Sequence, residues 1–292
     1  MKWRSPDWLN KSLDDPNLAL RLFLVFLLIF CPTHGRIVDL IKVEVVALAA
    51  TGLLLPWLVR RWEYWALFSV LFSVNLVFSF QHSANHYFLA LYTCLALTVI
   101  TYVQGQGDTP RINLPRALLI ITFGFATLHK FLSEYFMSGR LLASYFLKGR
   151  TFQRPLELIY EGFPETIQAY RAQLDHISGH ATAAASSVPI TVPTPDFDTL
   201  CTALAVGIGI AELAVFGMLA WKRTFYSRWF PYVLVGFVWG TYLFRNELTF
   251  FSLLCILGLM GLTQASRLSR FLLAGSAVIL LSLSLNEIYL RL

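Results

Sequence analysis

Apolar residues fill the chain in long runs broken by short polar stretches, and the run lengths set the first expectation. Nine runs stand out: Leu18–Phe30, Ile37–Val59, Tyr64–Phe80, His86–Val103, Leu114–Phe136, Leu200–Trp221, Trp229–Phe244, Leu248–Leu262 and Leu268–Tyr289. A helix that crosses a bilayer needs roughly 20 mostly apolar residues. The first run is short and reaches across only if Asp14–Asn17 is interfacial or the bilayer thins to match it. Helix is the state these runs predict, because lipid cannot satisfy an unpaired backbone. The strict alternation of an outer-membrane barrel is absent. The pattern therefore predicts an all-α, polytopic integral membrane bundle of about nine transmembrane helices. It forms a single transmembrane domain over residues 1–292, with no internal repeat and no soluble C-terminal domain.

One polar break is long, at about residues 137–199. Its first part, "MSGRLLASYFLKGRTFQRPLELIYEGFPETIQAYRAQL", mixes apolar and charged residues at helical spacing. That spacing predicts short amphipathic helices lying on the outer membrane face. Its second part, "SGHATAAASSVPITVPTPDFD", is small, polar and Pro-rich over 186–198, which predicts a flexible loop.

Composition agrees with the run lengths. The chain is 57% hydrophobic and only 14% charged, against about 25% charged in an average soluble domain. The net charge of +6 would suggest nucleic acid in a soluble protein. Here the basic residues fall between apolar runs, where they set topology, and no Lys/Arg cluster is interleaved with aromatics. Nucleic acid is therefore not an expected partner; the lipid bilayer is. Lys2, Arg4, Lys11, Arg60, Arg61, Arg111, Arg116, Lys222, Arg223, Arg228, Arg267 and Arg270 all fall on one side of a nine-span arrangement. That side is expected to be cytoplasmic, with the N-terminus inside. The polar "MKWRSPDWLNKSLDDPN" start argues against a signal peptide. A multi-pass protein of a bacterial inner or plasma membrane is the expected localisation. Cys31, Cys94, Cys201 and Cys255 lie far apart and show no metal-ligand spacing, so they read as packing thiols.

Polar residues at the mouths of apolar runs carry the candidate chemistry. "QHSANHYF" places His82, Asn85 and His86 at the outer end of the fourth run, and "FATLHKFLSEYF" places His129 and Lys130 near the outer end of the fifth. Arg245, Asn246 and Glu247 form the outer turn between the seventh and eighth. Lys130 is the most informative. A charge at mid-bilayer costs at least ~2.5–3.5 kcal/mol, and nearer the interface a lysine snorkels. A desolvated lysine is instead a candidate base. Phe123, Thr127, Lys130 and Glu134 share a helix face, so Glu134 could pair with Lys130 and hold it charged. Asn85 fits an N-cap as well as a pocket wall. Glu212, in "IGIAELAVFG", is either functional or bonded across to a neighbouring helix. Arg21 reads as an inner-side anchor or an ion-pair partner. Gly207 and Gly209 suggest close helix packing rather than a nucleotide site. No metal site is expected; a minor alternative gathers His82, His86 and His129 as ligands.

At these residues the chain resembles a known family. It is similar to the membrane domain of the vitamin K-dependent gamma-carboxylases and their bacterial relatives, the horizontally transferred transmembrane (HTTM) domain family. Four blocks carry the likeness in order from about Arg21 to Met260: "NHYFLAL", "ATLHKFLSEYF", "GIGIAELAVFGMLAWKR" and "RNELTFFS". The resemblance implies that Lys130 is the base that deprotonates a reduced quinone and that His86 is a second catalytic residue, with Asn85 orienting groups in the same pocket. The family's paired lysine is His129 here, the preceding glycine is Thr127, and Arg245 stands where a histidine is expected. The carboxylases carry a soluble β-rich domain that grips a protein substrate. This sequence ends at Leu292, directly after its last apolar run, so glutamate carboxylation by the same means is not expected.

The combined reading is a membrane enzyme, carboxylase- or oxygenase-like, of the lyase or oxidoreductase class. Lys130 and His86 are its expected catalytic residues. Asn85, His129, His82, Arg245, Asn246 and Glu247 are its expected substrate-binding residues. A lipid-soluble quinol or similar molecule is the expected substrate at the outer face, with a reduced, vitamin K-like quinone and O2 or CO2 implied by the resemblance alone. The alternative is a non-catalytic scaffold, immunity protein or redox partner that acts through another membrane protein. A transporter, which would need polar residues through the bilayer and broken helices, ranks last.

Overall fold

A computed structural model gives the fold. It describes residues 11–15, 17–33, 37–79, 85–107, 113–147, 163–165, 167–168, 172, 195–221, 225–242, 247–261 and 266–289. Among the described residues the regular structure is helical, with no strand. The helices are α1 (Leu18–Thr33), α2 (Asp39–Leu54), α3 (Trp62–Ser79), α4 (Asn85–Gly105), α5 (Leu114–Leu132), the short α6 (Glu134–Met137) and α7 (Arg140–Leu147), then α8 (Pro195–Ala220), α9 (Phe225–Tyr242), α10 (Leu248–Gly261) and α11 (Arg267–Tyr289). Each of the nine apolar runs contributes one of the longer helices. Among the described residues, three segments are long and apolar enough to cross a membrane: His86–Gly105, Phe197–Ala220 and Arg267–Asn286. Leu18–Pro32, Trp62–Phe78 and Leu248–Gly261 are shorter apolar helices. Leu54, Val77, Phe78, Phe125 and Leu132 are among the large apolar side chains that face outward. An apolar exterior of this extent is unusual for a soluble monomer and suits lipid.

The chain divides into two compact units. The first comprises Met1–Thr122, Val215–Val238 and Glu247–Leu292. Within it α1 packs against α2, α10 and α11, α3 against α4, and α10 against α11. Phe23, Phe26, Phe30, Trp65, Phe68, Phe72 and Tyr87 are fully buried and form an aromatic core. Phe23 stacks on Phe26, and Phe26 on Phe30, with centroids 5.8 and 5.1 Å apart. Offset ring pairs of this kind add to simple burial.

Polar side chains in this unit bond to backbone groups of neighbouring helices. The Asn75 side chain accepts from the Val38 N–H (2.9 Å) at the start of α2. The Tyr87 hydroxyl donates to the Phe72 carbonyl (2.6 Å). The Arg116 guanidinium donates to the Leu219 carbonyl from Nε (3.0 Å) and Nη2 (2.5 Å), which satisfies the C-terminal end of α8. Such terminal carbonyls have no partner inside the helix, and a cation there also complements the helix dipole.

The second unit comprises Phe123–Ala214 and Trp239–Asn246. Ser133 interrupts the helix after Leu132, and its side chain accepts from the Phe136 N–H (3.2 Å) as the N-cap of α6. Gly139 joins α6 to α7 at φ +74°. A Cβ there would come within 2.5 Å of the Cys201 and Thr202 backbone, so this turn requires glycine both for its dihedral and for the approach of α8. The Thr202 hydroxyl donates to the Ser138 carbonyl (3.0 Å) at the same crossing. Leu142, Ala143 and Phe146 of α7 pack with Phe136, Phe163, Ile167, Phe197, Cys201 and Ala205. The amphipathic helix expected on the membrane face thus turns its apolar stripe onto protein, because α8 offers a matching apolar face.

Candidate functional site

The buried face of α8 is read directly from its spacing. Phe197, Cys201, Ala205, Gly209 and Glu212 recur every three or four residues and are all buried, the repeat of a helix packed on one side. Glu212 therefore occupies a position where this pattern calls for an apolar residue. On α5 the corresponding stripe within the second unit is Phe123, Thr127 and Lys130. Both stripes carry polar groups at the same level, and they meet there. Lys130 Nζ donates to Glu212 Oε1 in a buried ion pair, with side chains only 12% and 7% exposed.

The immediate surroundings are aromatic. Lys130 Nζ lies 5.3 Å from the Phe136 ring centroid, within cation–π range. The absence of a side chain at Gly209 leaves the Phe131 ring 3.5 Å from where a Cβ would stand. Among the described residues, two side-chain oxygens remain buried without a hydrogen-bond partner: Glu212 Oε2 and Thr127 Oγ1. Buried polar atoms are almost always bonded, which makes two orphans around one ion pair a candidate functional centre.

The expected partner of Lys130 is corrected by this geometry. Glu134 shares the face of Lys130 only if one helix runs unbroken through both. Ser133 breaks that helix, and Glu134 begins α6 as an exposed side chain. Glu212 takes the position of partner instead, bonded across from α8 to α5. Arg21 pairs with Asp15 at 3.4 Å, largely exposed.

The other sequence-predicted site residues are distributed as follows. Asn85 is the first residue of α4. His86 is half-buried in the first unit, edge-on to Phe30 with centroids 5.3 Å apart. His129 is exposed in the last turn of α5; successive helical residues diverge by about 100°, so it points away from the stripe that carries Lys130. Glu247 is half-buried just before α10, and its carbonyl accepts from the Phe251 N–H (3.0 Å). His82, Arg245 and Asn246 lie outside the described residues, as does most of the Pro-rich 186–198 segment. Among the described residues no three His, Cys, Asp or Glu side chains cluster as metal ligands. All four cysteines are buried and free.

The first unit also holds a cavity of about 730 Å³. It is lined by Leu97, Ile100, Met260 and the polar Asn17, Arg60 and Arg270, among others. Among the described residues, none of the predicted site residues lines it. No family model, curated protein or solved structure matches the chain.

Proposed function

We propose that this chain is a membrane enzyme of the carboxylase-like type, in which the Lys130–Glu212 pair deprotonates a weakly acidic, membrane-accessible molecule such as a quinol. The observation that carries the reading is the buried ion pair with one carboxylate oxygen left unbonded. In an ion pair the ammonium already holds its proton, so the proton-accepting member is the carboxylate. Glu212 Oε2 receives the proton, and Lys130 balances the negative charge that moves onto the substrate. The net charge of the site is unchanged by the transfer, which suits a group of low polarity around it. His86 and Asn85 keep the roles that the resemblance to the gamma-carboxylase membrane domain and its HTTM relatives implies, with O2 or CO2 as co-reactant.

The nine-span arrangement, the cytoplasmic N-terminus and an outer-facing site belong to the same proposal. Single-cysteine accessibility from either side of sealed vesicles tests them. The chemistry is tested by oxygen uptake with a reduced quinone. Wild type should oxidise it, Lys130→Ala and Glu212→Gln should not, and retained oxidation in both variants refutes the reading.

A second reading has its own observation. The same ion pair is also a strong tie between α5 and α8, as a non-catalytic scaffold, immunity protein or redox partner would use. That reading requires a wild-type chain inactive towards quinols whose cellular role survives replacement of both Lys130 and Glu212 by apolar residues.

A further inference from the structure

Five threonines in these helices satisfy their hydroxyls in one way, and Thr127 does not use it. The hydroxyls of Thr51, Thr93, Thr98, Thr101 and Thr122 each donate to the carbonyl four residues earlier, at 2.7 to 2.9 Å. Where no water competes, this is how a helical hydroxyl is satisfied. Thr127 has the same local option in α5 and does not take it. Its Oγ1 is buried without a partner in a residue only 6% exposed.

The second orphan is chemically complementary to the first. Glu212 is 5% exposed, and its Oε2 is an acceptor without a donor. Thr127 lies three residues before Lys130 on the same face of α5, and Lys130 Nζ holds the other oxygen of Glu212. A hydroxyl able to donate and a carboxylate oxygen able to accept are thus each linked to Lys130, the first by its place on the same face of α5 and the second by the ion pair.

We propose that Thr127 and Glu212 together recognise one hydroxyl group on an otherwise apolar ligand. The ligand O–H donates to Glu212 Oε2, and the ligand oxygen accepts from the Thr127 hydroxyl. A hydroxyl is the group that offers one donor and an acceptor on the same atom. A ketone or an ether lacks the proton, and an ammonium lacks the lone pair. The rings of Phe123 and Phe136 beside these residues favour an apolar, ring-bearing molecule over a polyol. The inference rests on the proposed function and deepens it: Thr127 is a specificity-determining residue, and the hydroxyl it holds is the one that Glu212 deprotonates.

The test is binding without turnover. Full-length protein in lipid nanodiscs under argon is titrated with duroquinol and, separately, with its dimethyl ether, following tryptophan fluorescence. A site built to bond a hydroxyl rejects the analogue that lacks it, so wild type should prefer duroquinol by at least about tenfold. Thr127→Val should bring that ratio to within about threefold, and Thr127→Ser, which restores the hydroxyl, should recover it. Where Thr127→Val does not fold, Thr127→Ala serves, since alanine fits any helical position. Equal binding of the two ligands by wild type, or an unchanged ratio in the threonine variants, overturns the inference and leaves water as the group between the two oxygens. The two proposals separate cleanly. A preserved preference without oxygen uptake in air retains the hydroxyl site and refutes the enzyme. Oxygen uptake without any preference does the reverse.

Discussion

Removal of one partner of the Lys130–Glu212 pair should be far more damaging than removal of both. Each side chain is nearly inaccessible, at 12% and 7%. Replacing Lys130 by Met leaves an uncompensated buried carboxylate, and replacing Glu212 by Leu leaves an uncompensated buried ammonium. Such single losses cost about 3–5 kcal/mol, whereas exchange of a whole buried pair for apolar residues is often neutral or stabilising by 1–4 kcal/mol. Unfolding entropy scales at about 2.1 cal/mol/K per residue, so a chain of 292 residues loses about 1.6 °C of Tm per kcal/mol. Each single variant should therefore unfold about 5–8 °C below wild type. The Lys130→Met/Glu212→Leu double variant should return to within about 2 °C of it. Thermal unfolding in one detergent, followed by tryptophan fluorescence at a fixed scan rate, reads all four proteins. A double variant whose loss equals the sum of the two single losses would show that the side chains are energetically independent. That result would refute the assignment of the pair as a coupled unit, and with it the shared base.

Other positions give independent checks. Arg116→Ala removes the donors on the Leu219 carbonyl at the end of α8. It should cost about 1.5–3 kcal/mol, the usual range for a hydrogen bond to a charged group, measured as a lower unfolding temperature; no change would show those carbonyls to be otherwise satisfied. Gly139→Ala must adopt φ +74° with its Cβ against the α8 backbone. A destabilisation above the roughly 1–2 kcal/mol of a left-handed residue alone is expected, read as reduced yield and melting temperature. Cys31, Cys94, Cys201 and Cys255 are buried. A membrane-permeant maleimide should therefore leave the folded protein unlabelled and modify all four thiols in dodecyl sulfate, whereas rapid labelling of the native protein would contradict their burial.

The helices were legible because their signal is long and redundant. In "LTFFSLLCILGLMG" every residue of Leu248–Gly261 except a few is buried, and no single substitution would hide such a run. Lys130 was legible for the opposite reason: one charge in an apolar run is conspicuous by its cost. Its partner was harder to find. Glu134 was the nearer carboxylate along the chain, and only the break at Ser133 removes it from that face. Whether a serine continues a helix or caps a new one depends on what the following turn packs against, here the close approach of α8 at Gly139. That contact joins residues 62 positions apart, so local pattern carries no trace of it.

A usable signal was nevertheless present in α8. Counting back from Glu212 by threes and fours gives Gly209, Ala205, Cys201 and Phe197, an unbroken buried stripe. A carboxylate placed on such a stripe must find a cation or lose its charge. Lys130 is a half-buried lysine within an apolar run, and on α5 it follows a stripe of its own through Phe123 and Thr127. Two helices that each place one opposite charge on their buried face have few alternatives to placing them together. The pairing changes what Lys130 can do, since an ammonium that is shared with a carboxylate is not a free base. It also moves the acceptor role to the oxygen of Glu212 that the lysine does not hold. Chemistry at this site would therefore depend on Glu212 as strongly as on Lys130. A measured loss of activity in Lys130→Ala alone would not identify the base; equal losses in Glu212→Gln and Lys130→Ala, with no further loss in the double variant, would assign the proton transfer to the pair acting as one unit.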